Sequence, residues 1–215
     1  KYGDPRFKYG VPPDNNGNFA WIQHYIYHLA PEGKAGYVMA NGALSGGGVE
    51  GEIRKKIIEN DLVWGIVACP PKLFYNVPLA VTLWFLRKTK PAHMKKKVLF
   101  VYAKKMFKQI SRKQVVFTDE HIDKIVEKFR MFERKESETE INELGFAKIA
   151  TLENIKKNGY VLTPGRYVGI MIVEDGIPFE EKMKTYSEEI SRLLREEEKL
   201  TRDVKEIFKA LKFEV

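Results

Sequence analysis

The chain has 215 residues, of which 44% are hydrophobic and 31% charged, with a formal net charge of +8 and a single cysteine, Cys69. This composition excludes a disulfide scaffold and a disordered chain, and it indicates one ordinary domain with an appendage. No apolar run approaches the ~20 residues of a membrane-spanning helix. The single cysteine fits a reducing compartment, so we expect a cytoplasmic protein. The positive charge is compatible with a nucleic-acid partner, although a lysine-rich solvated surface explains it equally well.

Helices and apolar strands alternate through the first part of the chain. After an irregular loop over 1–17, helical spacing predicts a helix from Phe19 to Leu29 with Asn18 as its cap. The next predicted elements are strand 35–40, helix 51–59, strand 62–69 and strand 79–87. The two strands that flank residues 70–78 are close enough in sequence to pair as an antiparallel hairpin. The order indicates an α/β sheet covered on both faces, mostly parallel and ending in that hairpin.

The middle of the chain is predicted to add two strands and two helices. Strand 98–102 is followed by a helix that Thr118 caps and that runs to about Phe132. The acidic stretch 133–143 reads as an exposed linker. The predicted elements beyond it are a short strand near 146–149, a helix between Thr151 and Gly159, and a loop over 160–167.

The last segment carries the strongest periodicity. Pro178 occupies a first helical position, and apolar residues then recur in alternating steps of four and three, except that Glu197 takes the position between Leu193 and Leu200. The stripe consists of Phe179, Met183, Tyr186, Ile190, Leu193, Leu200, Val204, Ile207 and Leu211. A 3.5-residue repeat of this length predicts a coiled-coil-like helix that needs a partner helix, in this protein or in another subunit. The alternative is a helix lying along its own domain.

Eight short segments carry a family pattern, in order and at the expected separations. They are Gly17–His24, Leu29–Gly36, Ala40–Ser45, Glu50–Arg54, Leu73–Asn76, Ala80–Leu86, Phe117–Ile122 and Thr163–Val168. Together they resemble the C-terminal part of the modification subunit of type I restriction-modification systems. That family consists of DNA adenine N6-methyltransferases that use S-adenosylmethionine as the methyl donor.

The resemblance implies the C-terminal half of a Rossmann-like methyltransferase sheet, which is mixed and ends in an antiparallel hairpin. In that fold a glycine-containing loop holds S-adenosylmethionine, and an Asn/Asp-Pro-Pro-Phe/Tyr motif holds the target amino group. Neither is visible here, since residues 11–14 read Val-Pro-Pro-Asp and lack both the amide or acid and the ring. We therefore expect the catalytic motif and most of the donor site upstream of Lys1. The start of the chain, which lacks an initiator methionine, fits a piece of a longer protein.

The resemblance also implies residues that bind the target base. The adenine must be flipped out of the duplex, and a loop between the hairpin strands supplies a ring on which it stacks. In the loop over 70–78, Phe74 is the first candidate for that ring and Tyr75 the second. Asn76 would position the loop or hydrogen-bond the base. Alternatively, Phe74 packs beneath the hairpin.

Basic residues near the hairpin are candidates for contacts to the DNA backbone. They are Lys72, Arg87, Lys88, Lys90 and residues 95–97, with Arg166 as a further candidate in the Pro-Gly-Arg-Tyr loop. A solvated face explains them equally well. The pair His24 and His28 has the spacing of two metal ligands on a helix, but no carboxylate completes a site and methyl transfer needs no metal.

Three regions are predicted from these patterns. Residues 1–107 would be the C-terminal half of the methyltransferase domain, 108–170 a helical and loop extension, and 171–215 the heptad helix. The stripe residues from Phe179 to Val204 would dock the specificity subunit of a type I complex that binds double-stranded DNA, and a restriction subunit is a further candidate partner. The alternative function is a non-catalytic assembly or DNA-binding module that docks a specificity subunit.

Overall fold

The computed structural model describes residues 3–169 and 179–210, with only the backbone at Lys182 and Ala210. The chain divides into two units, Lys1–Met171 and Ile172–Val215. Pro178, the predicted first helical residue, and the stripe residue Leu211 lie outside the described residues.

The first unit alternates helices with strands, as predicted. Its helices are α1 Asn18–His28, α2 Gly48–Glu59, α3 Asp119–Glu133, α4 Glu138–Ile141 and α5 Leu152–Lys157. Its strands are β1 Lys34–Ala40, β2 Val63–Ala68, β3 Val81–Arg87, β4 Lys97–Tyr102, β5 Lys108–Ser111, β6 Gln114–Val116 and β7 Ala147–Thr151. Short 3₁₀ turns lie at Asn41–Leu44, Ala92–Met94 and Pro164–Arg166.

Five of the strands form one mixed sheet in the order β1-β3-β2-β4-β7. Strands β2 and β3 pair in antiparallel fashion, which confirms the predicted hairpin. The expectation of a mostly parallel sheet that ends in this hairpin is wrong, because β3 lies between β1 and β2. As a result, β2–β4 is the one parallel pair in the sheet, and β4–β7 is antiparallel.

Both faces of the sheet are covered, which explains why its strands read as continuous apolar runs. On one face, Ile66 and Phe100 lie in a buried cluster with Phe19 of α1 and Ile57 of α2. On the other face, Val67 and Leu99 belong to a cluster that includes Phe129 and Phe132 of α3. Every residue of β2 is buried, as expected for a central strand between two layers of helices.

Local capping chemistry fixes where several helices begin. The Thr118 hydroxyl accepts a hydrogen bond from the His121 backbone N–H at 3.4 Å, which confirms its predicted role as the cap of α3. Thr151 caps α5 in the same way, through the backbone N–H of Asn154 at 3.3 Å. The prediction that Asn18 caps α1 is wrong, because the helix already includes Asn18 and its N-cap is Gly17.

Two elements were not predicted. Residues 108–116 form the antiparallel β5–β6 hairpin within the region expected to be helical or loop. Within the acidic stretch expected to be an exposed linker, α4 buries Ile141 beneath α3 and β7. Because the stretch is mostly acidic and polar, its composition did not indicate that Ile141 would be buried.

The second unit is described by one helix, α6, over Phe179–Ala210. The predicted stripe residues from Phe179 to Val204 are between 46% and 75% exposed in this helix. Among the helices of the described ranges, none is both long and apolar enough to cross a bilayer.

Candidate nucleic-acid interface

Three chain connections meet at the carboxyl ends of the parallel-oriented strands β1, β2 and β4. The pairing directions bring the turn after β1, the loop 70–78 after β2 and the segment after β4 to one side of the sheet. We call this side the carboxyl edge. Ligands of open α/β sheets bind at such an edge, because the loops there are free to vary while the strands hold them in place.

The loop over 70–78 ends in a tight turn that displays two aromatic rings. The Val77 N–H donates to the Phe74 carbonyl at 3.0 Å, and Asn76 has a φ of +61°. Asparagine tolerates this left-handed conformation better than most residues, so Asn76 shapes the turn. Tyr75 at the tip is 78% exposed and Phe74 is 40% exposed. Both candidate rings are therefore accessible to a ligand, and Phe74 is not buried beneath the hairpin.

The loop is held against the β5–β6 hairpin. The Lys72 carbonyl accepts from the Val115 N–H at 3.1 Å, and the Lys72 ammonium donates to the Arg112 carbonyl at 2.8 Å. Between the loop and the tip of the hairpin lies a cleft of about 560 Å³. Its walls are Tyr75, Asn76 and Pro78 on one side and residues 111–114 on the other.

The predicted basic cluster is split by the structure. Lys72 lies at the carboxyl edge, whereas Arg87 and Lys88 lie at the opposite end, because β3 carries the chain about 20 Å across the sheet. Arg87 pairs with Glu133 at 3.2 Å, and the Lys88 ammonium donates to the Leu29 carbonyl. The expectation of one cluster is wrong, while the contact of each residue with DNA stays a prediction.

Lys90 is a structural lysine. Its buried ammonium donates to the Asp61 carboxylate at 2.5 Å and to the carbonyls of Val63 and Lys97 at 2.7 and 3.1 Å. Burial lowers the pKa of Lys90, while the hydrogen bond to Asp61 opposes that effect. A side chain with these contacts is not available to DNA.

Arg166 lies in the 3₁₀ turn Pro164–Arg166, where its side chain is exposed. The turn reaches the end of β4, since Gly165 sits close to the ring of Tyr102. Tyr167 anchors the turn by stacking on Phe100 with ring centroids 4.0 Å apart, and burial raises the pKa of its hydroxyl to about 12. Arg166 thus lies at the same edge as Lys72, and its contact with phosphate stays a prediction.

Two buried polar residues outside the predicted site hold the neighbouring segments. Arg54 donates to the carbonyls of Gly46 at 2.6 Å and Tyr160 at 2.8 Å. Gln23 accepts from the Tyr9 N–H at 2.9 Å and donates to the Gly10 carbonyl at 2.8 Å. The helical spacing favoured a core position for Gln23, whereas nothing in the sequence pattern marked Arg54 as buried.

Neither the histidine pair nor the cysteine forms a reactive centre with other described groups. His28 Nδ1 lies 2.9 Å from the His24 carbonyl, and His24 Nδ1 lies 3.4 Å from an Arg6 guanidinium nitrogen. Within residues 3–169 and 179–210, no three histidine, cysteine or acidic side chains converge as metal ligands would. Burial raises the pKa of the Cys69 thiol to about 12, which keeps it protonated and unreactive at neutral pH.

The chain is similar in sequence to known proteins. Residues 1–175 match the sequence profile of the N-6 DNA methylase family. The chain is 68% identical to the methylase subunit of the type I restriction enzyme MjaIX of Methanocaldococcus jannaschii, over 99% of this chain and 39% of that protein. It is 44% identical to the methylase subunit of the type I restriction enzyme HindI of Haemophilus influenzae, over 90% of this chain and 42% of that protein.

A solved structure has a similar fold. The methyltransferase subunit of a type I restriction-modification system from Streptococcus thermophilus superposes with a TM-score of 0.68 at 30% sequence identity. The superposition covers 78% of this chain and 34% of that subunit. The chain spans about two fifths of the length of the curated relatives described above.

Proposed function

The chain belongs to the N-6 DNA methylase family, and from this premise we propose that it is the C-terminal part of the modification subunit of a type I restriction-modification system. The complete subunit would transfer a methyl group from S-adenosylmethionine to N6 of an adenine in double-stranded DNA. The chain described here would complete the Rossmann-like sheet and supply one wall of the pocket for the flipped base. A purely non-catalytic module is not favoured, because the matched relatives are methylase subunits.

The loop over 70–78 is the observation that most strongly supports this proposal. It lies at the carboxyl edge, it displays the exposed rings of Tyr75 and Phe74, and the backbone of Lys72 ties it to the neighbouring hairpin. An exposed ring on an anchored loop is suited to stacking on a base that has left the duplex. The left-handed Asn76 holds the turn that presents both rings.

The residues of this chain do not fit the methyl donor. At the glycine-rich segment 46–48, the polar groups are engaged within the chain, since Arg54 donates to the Gly46 carbonyl and Asn16 donates to the nearby Glu50 carboxylate at 3.0 Å. We propose that the catalytic motif lies in the part of the subunit that this chain does not contain, and that S-adenosylmethionine binds there.

The outer edge of β1 supports the proposal that the sheet continues beyond this strand. Among the described residues, β1 pairs with β3 alone. Its apolar residue Val38 is 47% exposed, and Trp21 of the adjacent helix α1 is also exposed. Exposed edges and apolar patches of this kind are normally covered in a stable protein. We propose that the remaining strands of the methyltransferase sheet pair here.

The stripe on α6 supports docking to the specificity subunit. Its residues Phe179, Met183, Tyr186, Ile190, Leu193, Leu200 and Val204 are all exposed. Heptad stripes are buried against a partner helix in stable assemblies. Residues 171–215 would therefore be the assembly region, residues 1–107 the half domain, and residues 108–170 its extension.

Methyl transfer by the full-length subunit in its assembled enzyme tests the proposed function. Tyr75→Ala and Phe74→Ala should each lower kcat/KM for methylation, since loss of one stacking ring costs about 1–3 kcal/mol. Tyr75→Phe keeps the ring and should retain nearly full activity. The proposal is wrong if the alanine variants of both rings methylate DNA as fast as the unaltered enzyme.

A further inference from the structure

Charge is distributed unevenly along this chain. Between Asp61 and Asp119 there are twelve lysine and arginine residues and no aspartate or glutamate. Because the whole chain has a net charge of +8, the remainder of the chain is net negative. The positive field therefore arises from one stretch, which contains β2, β3, β4, the loop 70–78 and the β5–β6 hairpin.

The structure places eight of these twelve residues in two groups. At the end of the sheet opposite the carboxyl edge, Arg87, Lys90 and Lys97 pair with Glu133, Asp61 and Glu138. At the carboxyl edge, by contrast, the basic residues of the segment 104–113 form no ion pair with any residue in the described ranges. They are Lys104, Lys105, Lys108, Arg112 and Lys113.

The hairpin displays this unpaired charge beside the base-binding loop. Arg112 and Lys113 form the two-residue connection between β5 and β6, and both are exposed. The hydrogen bonds between Lys72 and the hairpin hold this tip across the cleft from Tyr75. Exposed apolar residues, Ile110 on the hairpin and Phe107 just before it, lie between the basic ones.

We propose that the β5–β6 hairpin is a second DNA contact, in which Arg112 and Lys113 bind backbone phosphates next to the nucleotide held by loop 70–78. This inference rests on the proposed function, because it takes the base pocket to lie at Tyr75 and Phe74. A flipped nucleotide remains joined to its strand, so the phosphates on either side of it must pass close to the pocket. Basic side chains without protein partners are suited to neutralise those phosphates.

Salt-dependent binding of the full-length subunit to a short fluorescein-labelled duplex tests the inference by fluorescence anisotropy. Each phosphate contact contributes about 0.9 to the slope of log affinity against log salt concentration. The double substitution Arg112→Ala and Lys113→Ala should therefore lower the magnitude of that slope by about 1.8. The change should be the same for duplexes of different sequence, since phosphate contacts carry no sequence information.

The matched control is Lys156→Ala with Lys157→Ala. These two lysines are adjacent, exposed and on α5, which follows β7 at the end of the sheet remote from the hairpin. The control removes the same charge and should leave the slope unchanged. An equal loss of slope in both double variants would mean that the effect comes from net charge alone, and it would overturn the inference.

An unchanged slope in the hairpin variant would also overturn it. A hairpin that binds an acidic protein surface instead would give the unchanged slope. These outcomes leave the proposed function standing, because that is measured separately by the methylation rates of the ring variants. Conversely, unaffected methylation in those variants together with the expected change in slope would reject the base pocket and retain the DNA contact.

Discussion

Lys90 shows how a basic residue in a basic stretch can be structural. Its ammonium is buried and satisfied by one carboxylate and two carbonyls, at the point where the chain leaves β3 and approaches β4. Asp61 in turn accepts from the Lys96 N–H at 2.9 Å and has a φ of +57°. The ion pair therefore connects the turn after α2 to the start of β4. The linear sequence offered no sign of this, because Lys90 looks like its neighbours Arg87 and Lys88.

Substitution of Lys90 should destabilise the fold. Lys90→Met removes the ammonium that donates to Asp61 and to two carbonyls. Breaking a buried ion pair costs about 3–5 kcal/mol. We expect the lower end of this range, because the Asp61 side chain is 26% exposed and water can replace part of the lost interaction. The midpoint of urea unfolding measures the change.

The control for Lys90 is Lys88→Met, because Lys88 is exposed and donates only to the Leu29 carbonyl. It should change the free energy of unfolding by about 0.5 kcal/mol or less. Adding Asp61→Asn to Lys90→Met should restore part of the loss, since asparagine carries no charge and tolerates the left-handed backbone. Equal stability of the Lys88 and Lys90 variants would contradict the structural role of Lys90.

At the scale of elements, hydrophobic pattern and caps predicted most of the first unit. The β2–β3 hairpin, α3 with its Thr118 cap, and α5 with its Thr151 cap follow from apolar runs bounded by capping residues. The β5–β6 hairpin was missed because its connection is Arg112-Lys113, which lacks the glycine or asparagine that usually marks a tight turn. Strand order was also out of reach, since the insertion of β3 between β1 and β2 depends on contacts distant in sequence.

The candidate site was also predicted only in part, because it too depends on contacts between residues distant in sequence. The loop 70–78 and its rings were identified through the family resemblance, and the structure shows both rings exposed. Nearness in sequence suggested one basic cluster, but a strand of seven residues separates Lys72 from Arg87. The hairpin across the cleft could not be inferred without its contacts to Lys72.

Gly65 sets how closely α3 packs on β2. A Cβ at this position would lie 2.3 Å from Cε1 of Phe129, far inside van der Waals contact. Gly65→Ala should therefore force α3 outward and cost about 1–3 kcal/mol, as overpacked cores do. Gly42→Ala is the control, because a Cβ there meets nothing within 4 Å.

A double-mutant cycle separates this clash from a backbone effect. Phe129→Leu removes the ring that the new methyl group would meet, so the cost of Gly65→Ala should be smaller in that background. Thermal unfolding of the four proteins gives the coupling. An undiminished cost of Gly65→Ala in the Phe129→Leu background would assign the destabilisation to the backbone of β2 instead.

The α6 stripe leads to a prediction about assembly. Ile190→Glu with Leu193→Glu places two charges on the stripe, whereas Thr185→Glu with Ser191→Glu places the same charge on the polar side of the heptad pattern. Co-purification of the full-length subunit with its specificity subunit should be lost in the first variant and kept in the second. Retention in both variants, or in a protein that lacks residues 178–215, would reject the docking role.

At the scale of the whole molecule, positive charge, exposed rings and the ends of the parallel-oriented strands coincide at one edge. The same unit leaves the edge strand β1 and the apolar side chains of Val38 and Trp21 exposed at another place. Together these features fit one half of a nucleobase-modifying fold, with DNA at the carboxyl edge and the donor-binding strands against β1. Both assignments depend on the target base entering beside the loop 70–78.

Photocrosslinking tests most directly whether the target base enters beside the loop 70–78. A duplex with 5-iodouracil in place of the target adenine, irradiated on the full-length subunit in its assembled enzyme, attaches the flipped base to the ring on which it stacks. Trypsin cleavage after Lys72 and Arg87 releases a peptide, Leu73–Arg87, that contains both candidate rings. We predict a crosslink to Tyr75 or Phe74 in this peptide by mass spectrometry. A crosslink confined to residues outside 70–78 would contradict the account.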